Sequence, residues 1–408
     1  MSDVGAAIAY LRSPLAIRAR CETLFDAALA GSLSHFTVEL AALPAVVDKV
    51  VEVTRAAYPD LNIPVHGRTN HFRAGGIDRV AALDARLAGL SYAERARTWI
   101  DLIMVSVLLD AGAGDTWRYR EAGTGLVIGR SEGLAVASLH AFEAGVFSSD
   151  PARPRQADLA GLTALDPARL AAAFQVSAGN PLDGLDGRVG LVRALGAALA
   201  AAPHIFAGGR PGGLLEHLDA GSAGGAIEST AILRALLDGL APIWPRRIEL
   251  GGENLGDVWR HPAAGGAGPS AGLVPFHKLS QWLAYSLFEP LERCGRTITA
   301  SGALTGLPEY RNGGLFVDLG VLLPRRPDIR TLIHAPGDEV IVEWRALTVA
   351  LLDRVAEAVR ARLGKSPAEL PLARVLEGGT WAAGRAIAAQ LRPGGGPPIR
   401  ILSDGTVF

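Results

Sequence analysis

The chain has 408 residues, which is enough for one large domain or for two or three smaller ones. Its 40 basic and 41 acidic residues nearly cancel, which argues against a charged surface for nucleic acid or an anionic membrane. Cys21 and Cys294 are too few for a disulfide framework. We therefore expect a cytoplasmic protein with a small-molecule substrate and no nucleic-acid or membrane partner, and a homodimer is left open.

The N-terminal part of the chain shows hydrophobic residues at helical spacing. We expect helices over residues 6–30 and 34–58, with Ser34 capping the second helix and Pro44 kinking it. Residues 59–79 have neither helical nor strand periodicity, yet they carry two histidines and three arginines. This composition predicts a functional loop.

Further helices are predicted through the middle of the chain from hydrophobic periodicity and capping residues. Their ranges are 91–111, 131–147, 166–176, 189–202 and 227–240, with a short strand at 126–128. Residues 242–275 break the pattern as a long loop, and long loops in compact proteins are usually functional or disordered. Two tryptophans and several charged residues in this loop argue against disorder.

The C-terminal part is also predicted to be helical. A helix over 276–293 is expected to end or kink before Pro290, and a mostly buried helix is expected over 340–363. An Asp-Gly pair predicts a terminal hairpin in 399–408. The expected fold class is mainly α: a single large multi-helix domain with a few short strands, its halves covering about 1–240 and 241–408.

One carboxylate in the C-terminal half stands alone in a hydrophobic run. Asp318 lies within RNGGLFVDLGVLLPR, residues 311–325, with leucine, phenylalanine and valine around it. Burying an ionised carboxylate without a partner costs several kcal/mol, so the fold must pair Asp318 or use it in chemistry. The glycines and Pro324 favour a shaped functional turn, and capping of a helix that begins near Leu319 is the alternative.

Cofactor and metal motifs are absent or incomplete. The chain has no P-loop, no HExxH and no CxxC pair, so no cofactor is expected and no metal ligand is assigned. His66 and His71 lie five residues apart, near Asp78, and this spacing matches no helical ligand pair. A metal site, a substrate-contacting loop and structural hydrogen bonding all stay open for these residues.

Two pairs of neighbouring residues lie on the predicted C-terminal helices. His277 and Lys278 begin one helix, where the N-terminus favours an anionic substrate; an exposed lysine on an amphipathic helix is the alternative. Glu343 and Arg345 are two residues apart on the other helix, so they point to different faces. One of them is expected to support a site while the other braces the fold.

Together these groups suit cleavage of a glycosidic C–N bond, as one option among several. The reaction passes through an oxocarbenium-like state, which a fixed carboxylate stabilises, and a second group protonates the leaving nitrogen. Asp318 could be that carboxylate. Aromatic side chains near the acidic and imidazole groups are Phe72, Trp244, Trp259 and Phe276.

Motifs along nearly the whole chain resemble a known family. They are HFRAGGIDR (71–79), WIDLIMVSVLLDAGAGDTWRY (99–119), SEGLAVASLHAFEAGVF (131–147), GDVWRHP (256–262), LVPFHKLSQWL (273–283), GGLFVDLGVLLP (313–324) and VEWRALTVALLDRV (342–355). The family is the uracil catabolism protein 4 family of fungi and bacteria, long catalogued as a domain of unknown function. Its members belong to a route in which uracil becomes a nucleotide before the ring is opened, which implies a ribosylated urea intermediate.

A second resemblance covers the C-terminal half. FVDLGVLLP, VEWRALTV and the FHK at 276–278 are similar to the queuosine salvage nucleosidases, which are mainly helical enzymes related to helix-hairpin-helix DNA glycosylases. Those enzymes hydrolyse an N-ribosidic bond. They tend to carry an aromatic–arginine pair after the aspartate, where this chain has Leu319-Gly320, so base recognition is not implied.

The two resemblances imply a metal-independent N-ribosyl hydrolase that releases urea from ribosylurea or its 5-phosphate. Asp318 would stabilise the oxocarbenium or position water, while His71, Asp257 and His261 are candidates for the leaving-group acid and the sugar hydroxyl contacts, with Asp257 and His261 as the further catalytic residues. Lys278 and Arg345 are candidates for a phosphate or for supporting ion pairs. The full set of predicted substrate-binding residues is His71, Phe72, Arg73, Trp259, Phe276, His277, Lys278, Glu343 and Arg345.

Two other functions stay open at the level of sequence. A metal-dependent amidohydrolase acting on a ring-opened ureide would need His66, His71, Asp78 and His261 around one ion. A non-catalytic assembly protein for the pathway enzymes would need an exposed hydrophobic patch and no closed polar pocket.

Overall fold

The computed structural model describes residues 3–110, 112–114, 116–222 and 224–402. Its α-helices are α1 (Asp3–Leu11), α2 (Pro14–Leu29), α3 (Leu43–Ala57), α4 (Arg68–His71), α5 (Arg79–Arg86), α6 (Tyr92–Leu108), α7 (Arg130–Glu143), α8 (Leu159–Thr163), α9 (Pro167–Ala173), α10 (Leu185–Ala201), α11 (Leu214–Ala220), α12 (Ser229–Gly239), α13 (Lys278–Arg293), α14 (Tyr310–Asp318), α15 (Asp328–Thr331), α16 (Glu339–Leu363), α17 (Leu372–Val375) and α18 (Trp381–Leu391). The mainly α fold class predicted from the sequence is confirmed.

The strands are two or three residues long. They are β1 (Phe36–Val38), β2 (Arg118–Arg120), β3 (Val127–Gly129), β4 (Ala226–Glu228), β5 (Glu249–Leu250), β6 (Glu253–Asn254), β7 (Val258–Arg260), β8 (Leu273–Pro275), β9 (Thr297–Thr299), β10 (Leu322–Pro324), β11 (Ile333–His334) and β12 (Arg400–Ile401). In the described ranges they pair two by two, antiparallel for β1–β10 and β7–β8 and parallel for β4–β9 and β11–β12.

The described chain divides into two compact units. The first contains residues 3–66, 246–281 and 300–402, and the second contains 67–245 and 282–299. One boundary, between residues 245 and 246, lies close to the predicted division near residue 240, but each unit also includes a segment from the other predicted half. The prediction of a single domain stays a prediction.

Helix α16 forms the centre of the first unit. Its buried residues run from Val340 to Val359 on nearly all sides, which confirms the predicted mostly buried helix. The core around it comprises Ile17, Cys21, Leu24, Trp259, Ala264, Val274, Phe276, Val342, Ala346 and Val349. Residues from the β7–β8 ladder thus pack against α16, and this packing positions the 257–261 segment beside the helix.

Two predicted N-terminal helices differ from the structure. The segment 6–30 forms two helices, because the Ser13 hydroxyl caps α2 by accepting the Ala16 N–H at 3.2 Å and Pro14 occupies the first turn. The segment 34–58 begins its helix only at Leu43, so Ser34 does not cap it. The residues before this helix pair as β1 with β10, a contact across the sequence that local periodicity does not predict.

Two expectations in the C-terminal part differ from the structure. Pro290 lies inside α13, so the helix does not end before it, and the alternative of a kink there stays a prediction. Asp318 is the last residue of α14, so it does not cap a helix that begins near Leu319. The chain turns after it at Gly320, whose φ of 76° is the left-handed conformation that glycine favours.

The second unit contains the best-predicted helix of the chain. Residues from Ala96 to Leu108 of α6 are buried apart from Arg97, and the Ser91 hydroxyl caps the helix by accepting the Glu94 N–H at 3.2 Å. The strand predicted at 126–128 is observed as β3. Helices α5 and α11 were not predicted, because each is short and interrupts a segment without clear periodicity.

The last described residues form β12 beside β11, and the Asp-Gly turn predicted for the terminal hairpin lies outside the described residues. Among the helices of the described ranges, none combines the length and hydropathy of a membrane span.

Candidate active site

A buried ion pair joins two of the predicted site residues in the first unit. The Arg345 guanidinium of α16 donates to both carboxylate oxygens of Asp257, with Nη1–Oδ1 and Nη2–Oδ2 distances of 2.8 Å each. Their side chains are 1% and 11% exposed, respectively. Burial alone would raise the pKa of Asp257, but the charge and hydrogen bonds of Arg345 outweigh it and hold the pKa well below its ordinary value.

Asp257 also fixes the beginning of α13. Its Oδ2 accepts the backbone N–H of Lys278 at 2.9 Å, and its carbonyl accepts the N–H of Phe276 at 2.9 Å. Its Oδ1 accepts the indole N–H of Trp259 at 2.6 Å. Because both carboxylate oxygens already accept hydrogen bonds from the Arg345 guanidinium, Asp257 acts in this structure as an anchor for the 276–278 segment.

Two aromatic rings flank the Asp257–Arg345 pair. The Arg345 guanidinium carbon lies 4.1 Å from the centroid of the buried Phe276 ring, within cation–π range. The Trp259 ring is also buried, and the Arg247 guanidinium carbon lies 5.1 Å from its centroid. The rings shield the ion pair from water, which strengthens its electrostatic interactions.

A second buried carboxylate, that of Glu309, lies at the beginning of α14. Its two oxygens accept the N–H groups of Arg311 at 2.7 Å and Asn312 at 2.6 Å, so Glu309 caps the helix. Burial raises the pKa of Glu309 above its ordinary value, and the positive charge of Lys278 and the two backbone N–H groups only partly offset this effect. A carboxyl group with a raised pKa is suited to proton transfer near neutral pH.

Side-chain amide contacts hold the Glu309 segment against the beginning of α13. The Gln281 amide donates to Thr305 Oγ1 at 2.8 Å and accepts the Thr305 N–H at 2.9 Å. Arg345 Nε approaches the carbonyl of Pro308 at 3.4 Å. We call Asp257, Phe276, Lys278, Glu309 and Arg345 the Lys278–Glu309 site, since these contacts bring them together in the first unit.

Asp318 lies apart from this site. Its side chain is 1% exposed, and the Arg392 guanidinium donates to both carboxylate oxygens at 2.7 and 2.5 Å. Asp318 and Glu309 are at opposite ends of α14, and a helical rise of about 1.5 Å per residue separates their backbones by about 13 Å. The hydrophobic run predicts a buried carboxylate at Asp318, and in the structure this carboxylate is buried and paired with Arg392.

Two further predicted residues, His261 and Glu343, face each other on another side of α16. His261 Nε2 and Glu343 Oε2 are 3.6 Å apart, and both side chains are buried. His277 points elsewhere: its buried ring contacts the Leu11 carbonyl at 3.0 Å, and burial lowers its pKa. The sequence prediction that Glu343 and Arg345 point to different faces is confirmed by their separate partners.

The other predicted substrate-binding residues belong to the second unit. His71 Nδ1 lies 3.1 Å from an Arg68 guanidinium nitrogen, and Phe72 is fully buried. Arg73 donates to both carboxylate oxygens of Glu289, at 2.5 and 3.2 Å. These contacts stabilise that unit, and a role of the three residues in substrate binding stays a prediction.

The residues named for a metal-dependent amidohydrolase have individual partners. His66 Nδ1 lies 2.7 Å from Glu377 Oε2, and Asp78 caps α5 by accepting the Ala81 N–H at 3.0 Å. In the described ranges, the residues whose ligand atoms lie close enough together to hold a metal ion are His35, Glu339 and Glu343, and none of them belongs to the set predicted for the amidohydrolase.

The sequence comparisons agree with the resemblance that the motifs carry. A family model described as "Protein of unknown function (DUF1688)" matches residues 10–408. The chain belongs to this family. The DUF1688 match covers the second unit, the first unit from residue 10 onward and all residues of the Lys278–Glu309 site.

Two curated relatives match the DUF1688 chain over nearly its full length. Protein urg3 of Schizosaccharomyces pombe is 42% identical over 412 residues, which cover 98% of this chain and 99% of the relative. Uracil catabolism protein 4 of Lachancea kluyveri is 40% identical over 438 residues, with the same coverage of 98% and 99%. The predicted family resemblance is confirmed, while similarity to the queuosine salvage nucleosidases stays a prediction.

Sequence reasoning missed Glu309 in this DUF1688 protein. The glycines of the 311–325 segment favour a turn, so the sequence does not predict the helix that begins at Tyr310 or its capping residue Glu309. The available signal was the order Pro308-Glu309 ahead of an apolar run, because an acidic residue at a helix N-terminus is stabilised there. Its closeness to Lys278 depends on the Gln281–Thr305 contacts and has no local sequence signal.

Proposed function

We propose that this protein is an enzyme of uracil catabolism that hydrolyses the N-ribosidic bond of ribosylurea or its 5-phosphate and releases urea. The supporting observation is the buried Glu309 carboxylate beside the charge of Lys278. The curated relative named uracil catabolism protein 4 supports the pathway. The ribosylated urea substrate follows from the ring-opening route that the family resemblance implies.

Glu309 is proposed as the carboxylate that faces the ribosyl group. Water adds to the anomeric carbon while the C–N bond breaks, and one proton passes from water to the leaving nitrogen. An ionised Glu309 stabilises the oxocarbenium-like state, accepts that proton from the attacking water and passes it to the leaving nitrogen, so the carboxylate is ionised again at the end of the step. Burial raises its pKa, which makes the carboxylate a better base than an exposed glutamate.

Lys278 is proposed to keep Glu309 ionised at neutral pH, because its positive charge lowers the pKa of that carboxyl group. Asp257 and Arg345 are positioning residues in this proposal. Asp257 holds the Lys278 backbone N–H at 2.9 Å, and Arg345 holds Asp257 with two hydrogen bonds. The three charged side chains thus act on the substrate through Glu309.

Glu309 replaces Asp318 as the proposed catalytic carboxylate. Both oxygens of Asp318 accept hydrogen bonds from Arg392, so the positive charge opposite Asp318 is already present before a substrate binds. A carboxylate neutralised by a guanidinium gains little from a developing ribosyl cation. The backbone N–H partners of Glu309 carry no formal charge.

The proposal is tested by incubating purified wild-type protein with ribosylurea and, separately, with ribosylurea 5-phosphate. We expect urea and the corresponding ribose product in equal amounts from at least one substrate, measured by a urease-coupled assay and by chromatography. Absence of urea with both substrates would contradict the proposal. Thermal stabilisation by ribose 5-phosphate in the same experiment would argue against a purely non-catalytic assembly protein.

A further inference from the structure

Three side chains in the first unit present metal-ligand atoms to one another. One such atom each from His35, Glu339 and Glu343 lies within 4.8 Å of the other two. Glu339 and Glu343 are four residues apart on α16, so they share one face of the helix. His35 lies directly before β1, and its Nε2 is 3.4 Å from Glu339 Oε1.

Within the described ranges, no lysine or arginine forms an ion pair with the Glu343 carboxylate. The side chain is fully buried, and its Oε1 accepts the backbone N–H groups of Phe36 at 2.7 Å and His35 at 3.2 Å. Its Oε2 is buried and makes no hydrogen bond within the described residues. Leaving a buried carboxylate oxygen unpaired is costly, so this atom indicates a missing cation or donor.

His261 does not supply that partner. Its Nδ1 accepts the Ala263 N–H at 3.1 Å, so the proton of the neutral ring belongs on Nε2. That nitrogen is 3.6 Å from Glu343 Oε2, which is beyond hydrogen-bond distance, and it has no partner in the described ranges. A protonated Nε2 cannot bind a metal, so His261 is a neighbour of the three residues and not a fourth ligand.

His35 has the properties of an available imidazole ligand. Its Nε2 is the ring nitrogen that faces Glu339, 3.4 Å from Oε1, while its buried Nδ1 makes no hydrogen bond in the part of the chain that is described. The side chain of Glu339 is 41% exposed, so an ion can reach the three residues from solvent. One imidazole nitrogen with two carboxylates is a donor set that suits Zn²⁺ and related divalent transition metals better than Ca²⁺ or Mg²⁺.

We propose that His35, Glu339 and Glu343 form a structural site for a divalent transition-metal ion, with Zn²⁺ as the reference ion. The ion neutralises the buried Glu343 carboxylate and links the beginning of β1 to the first two turns of α16. The site lies on a different face of α16 from Arg345 and takes no part in the chemistry proposed for Glu309. Its test is therefore independent of urea release.

The experiment is isothermal titration of chelator-treated, full-length protein with Zn²⁺, combined with thermal unfolding with and without the ion. We expect one equivalent to bind and the Tm to rise, because an ion that binds only the folded state stabilises it. The His35→Ala and Glu339→Gln variants should each weaken binding by at least about tenfold, as loss of groups around metal sites does. Circular dichroism verifies that each variant is folded.

Glu377→Gln is the matched control, because it removes a carboxylate that pairs with a different histidine, His66. It should bind Zn²⁺ as the wild type does. No binding heat and no Tm increase in the wild type would overturn the proposal. Equal affinity of the wild type, His35→Ala and Glu339→Gln would show binding at another place and overturn it equally.

Discussion

Three buried carboxylates of the first unit differ in the charge that faces them. Asp257 and Asp318 each accept two hydrogen bonds from one guanidinium, those of Arg345 and Arg392. Glu309 accepts two uncharged backbone N–H groups and is influenced by the charge of Lys278. This difference explains why the pKa of Asp257 is lowered and that of Glu309 is raised.

Replacing Lys278 should change the pH dependence of catalysis. Glu309 must be ionised to act as a base, so the rate should fall as pH decreases through its raised pKa. The Lys278→Met variant removes the charge that lowers this pKa, so the acidic limb of the kcat profile should move to higher pH. The measurement is urea release over a series of pH values that extends from above the acidic limb of the profile to below it.

Lys365→Met is the control for that experiment, since Lys365 is a surface residue paired with Glu369. Its acidic limb should coincide with that of the wild type. An unchanged limb in Lys278→Met would show that Lys278 does not act on the catalytic carboxylate.

The Asp318–Arg392 pair should contribute to stability. Arg392→Met leaves the carboxylate of Asp318 buried and unpaired, and breaking a buried ion pair in this way costs about 3 kcal/mol. The free energy of unfolding is measured by guanidinium chloride titration. Arg326→Met removes an exposed pair with Asp328 and should cost less than about 1 kcal/mol. Equal losses in the two variants would contradict a stabilising role for the buried pair.

The sequence predicted the burial of Asp318 but not its partner. A carboxylate within a hydrophobic run is buried by its neighbours, and this argument needs only the local sequence. Arg392 is 74 positions away, and no local pattern connects the two residues. The same limit applies to Lys278 and Glu309. The local sequence shows that Lys278 lies at a helix N-terminus, but it does not show that Glu309 lies close to it.

At the scale of elements, close helix packing positions Glu309. Helix α14 approaches α16 at Gly313, whose carbonyl accepts the indole N–H of Trp344 at 3.1 Å. A Cβ at Gly313 would lie 2.8 Å from Trp344 Cε2 and 2.9 Å from Thr348 Oγ1, which is closer than van der Waals contact allows. Both glycines that looked like turn residues in the sequence, Gly313 and Gly314, thus lie within a helix.

Gly313→Ala should force α14 away from α16. We expect a loss of about 1–3 kcal/mol of unfolding free energy, the usual cost of overpacking, together with a reduced kcat because Glu309 moves with the helix. Gly190→Ala is the control, since that helical glycine of α10 has no atom within 4 Å of an added Cβ. It should be neutral or stabilise the protein by up to about 1 kcal/mol. An unaffected Gly313→Ala variant would contradict the packing argument.

Long helices with a clear hydrophobic face were predictable, and short elements that depend on distant partners were not. The ranges of α6 and α16 follow from periodicity and capping residues within each segment. Strand β1 forms because it pairs with β10, about 290 residues later in the chain. The local sequence of residues 34–42 therefore does not show that this segment is a strand and that α3 begins only after it. The predicted loop 242–275 likewise contains short strands, β5 to β8. They are recognisable from their pairing in the structure and not from the local sequence.

At the scale of the whole molecule, a carboxyl group in the second unit should determine part of the change in folding stability at low pH. The buried Glu121 carboxylate accepts hydrogen bonds from Arg79 at 2.6 Å and contacts His140 at 2.7 Å. The hydrogen bonds of Arg79 outweigh burial and lower the pKa of Glu121 to about 2. A carboxyl group with a lowered pKa in the folded state stabilises it above the unfolded-state pKa, and this contribution is lost as pH falls from about 4.3 to about 2.

Glu121→Gln should therefore reduce the stability of the protein about twice as much at pH 6 as at pH 3. Guanidinium chloride titrations at the two pH values measure this difference, with Glu52→Gln as the control because Glu52 is exposed. If Glu121→Gln lost the same unfolding free energy at both pH values, this result would contradict a lowered pKa of Glu121 in the folded state.

The most direct test of the proposed active site compares Glu309→Gln with Asp318→Asn in the urea-release assay. We expect Glu309→Gln to lower kcat by at least about 100-fold, as loss of a catalytic charge does, while its circular dichroism spectrum stays that of the wild type. Asp318→Asn, normalised to its folded fraction, should keep kcat within about tenfold of the wild type. A Glu309→Gln enzyme with wild-type kcat, or a folded Asp318→Asn enzyme without activity, would contradict the assignment of Glu309.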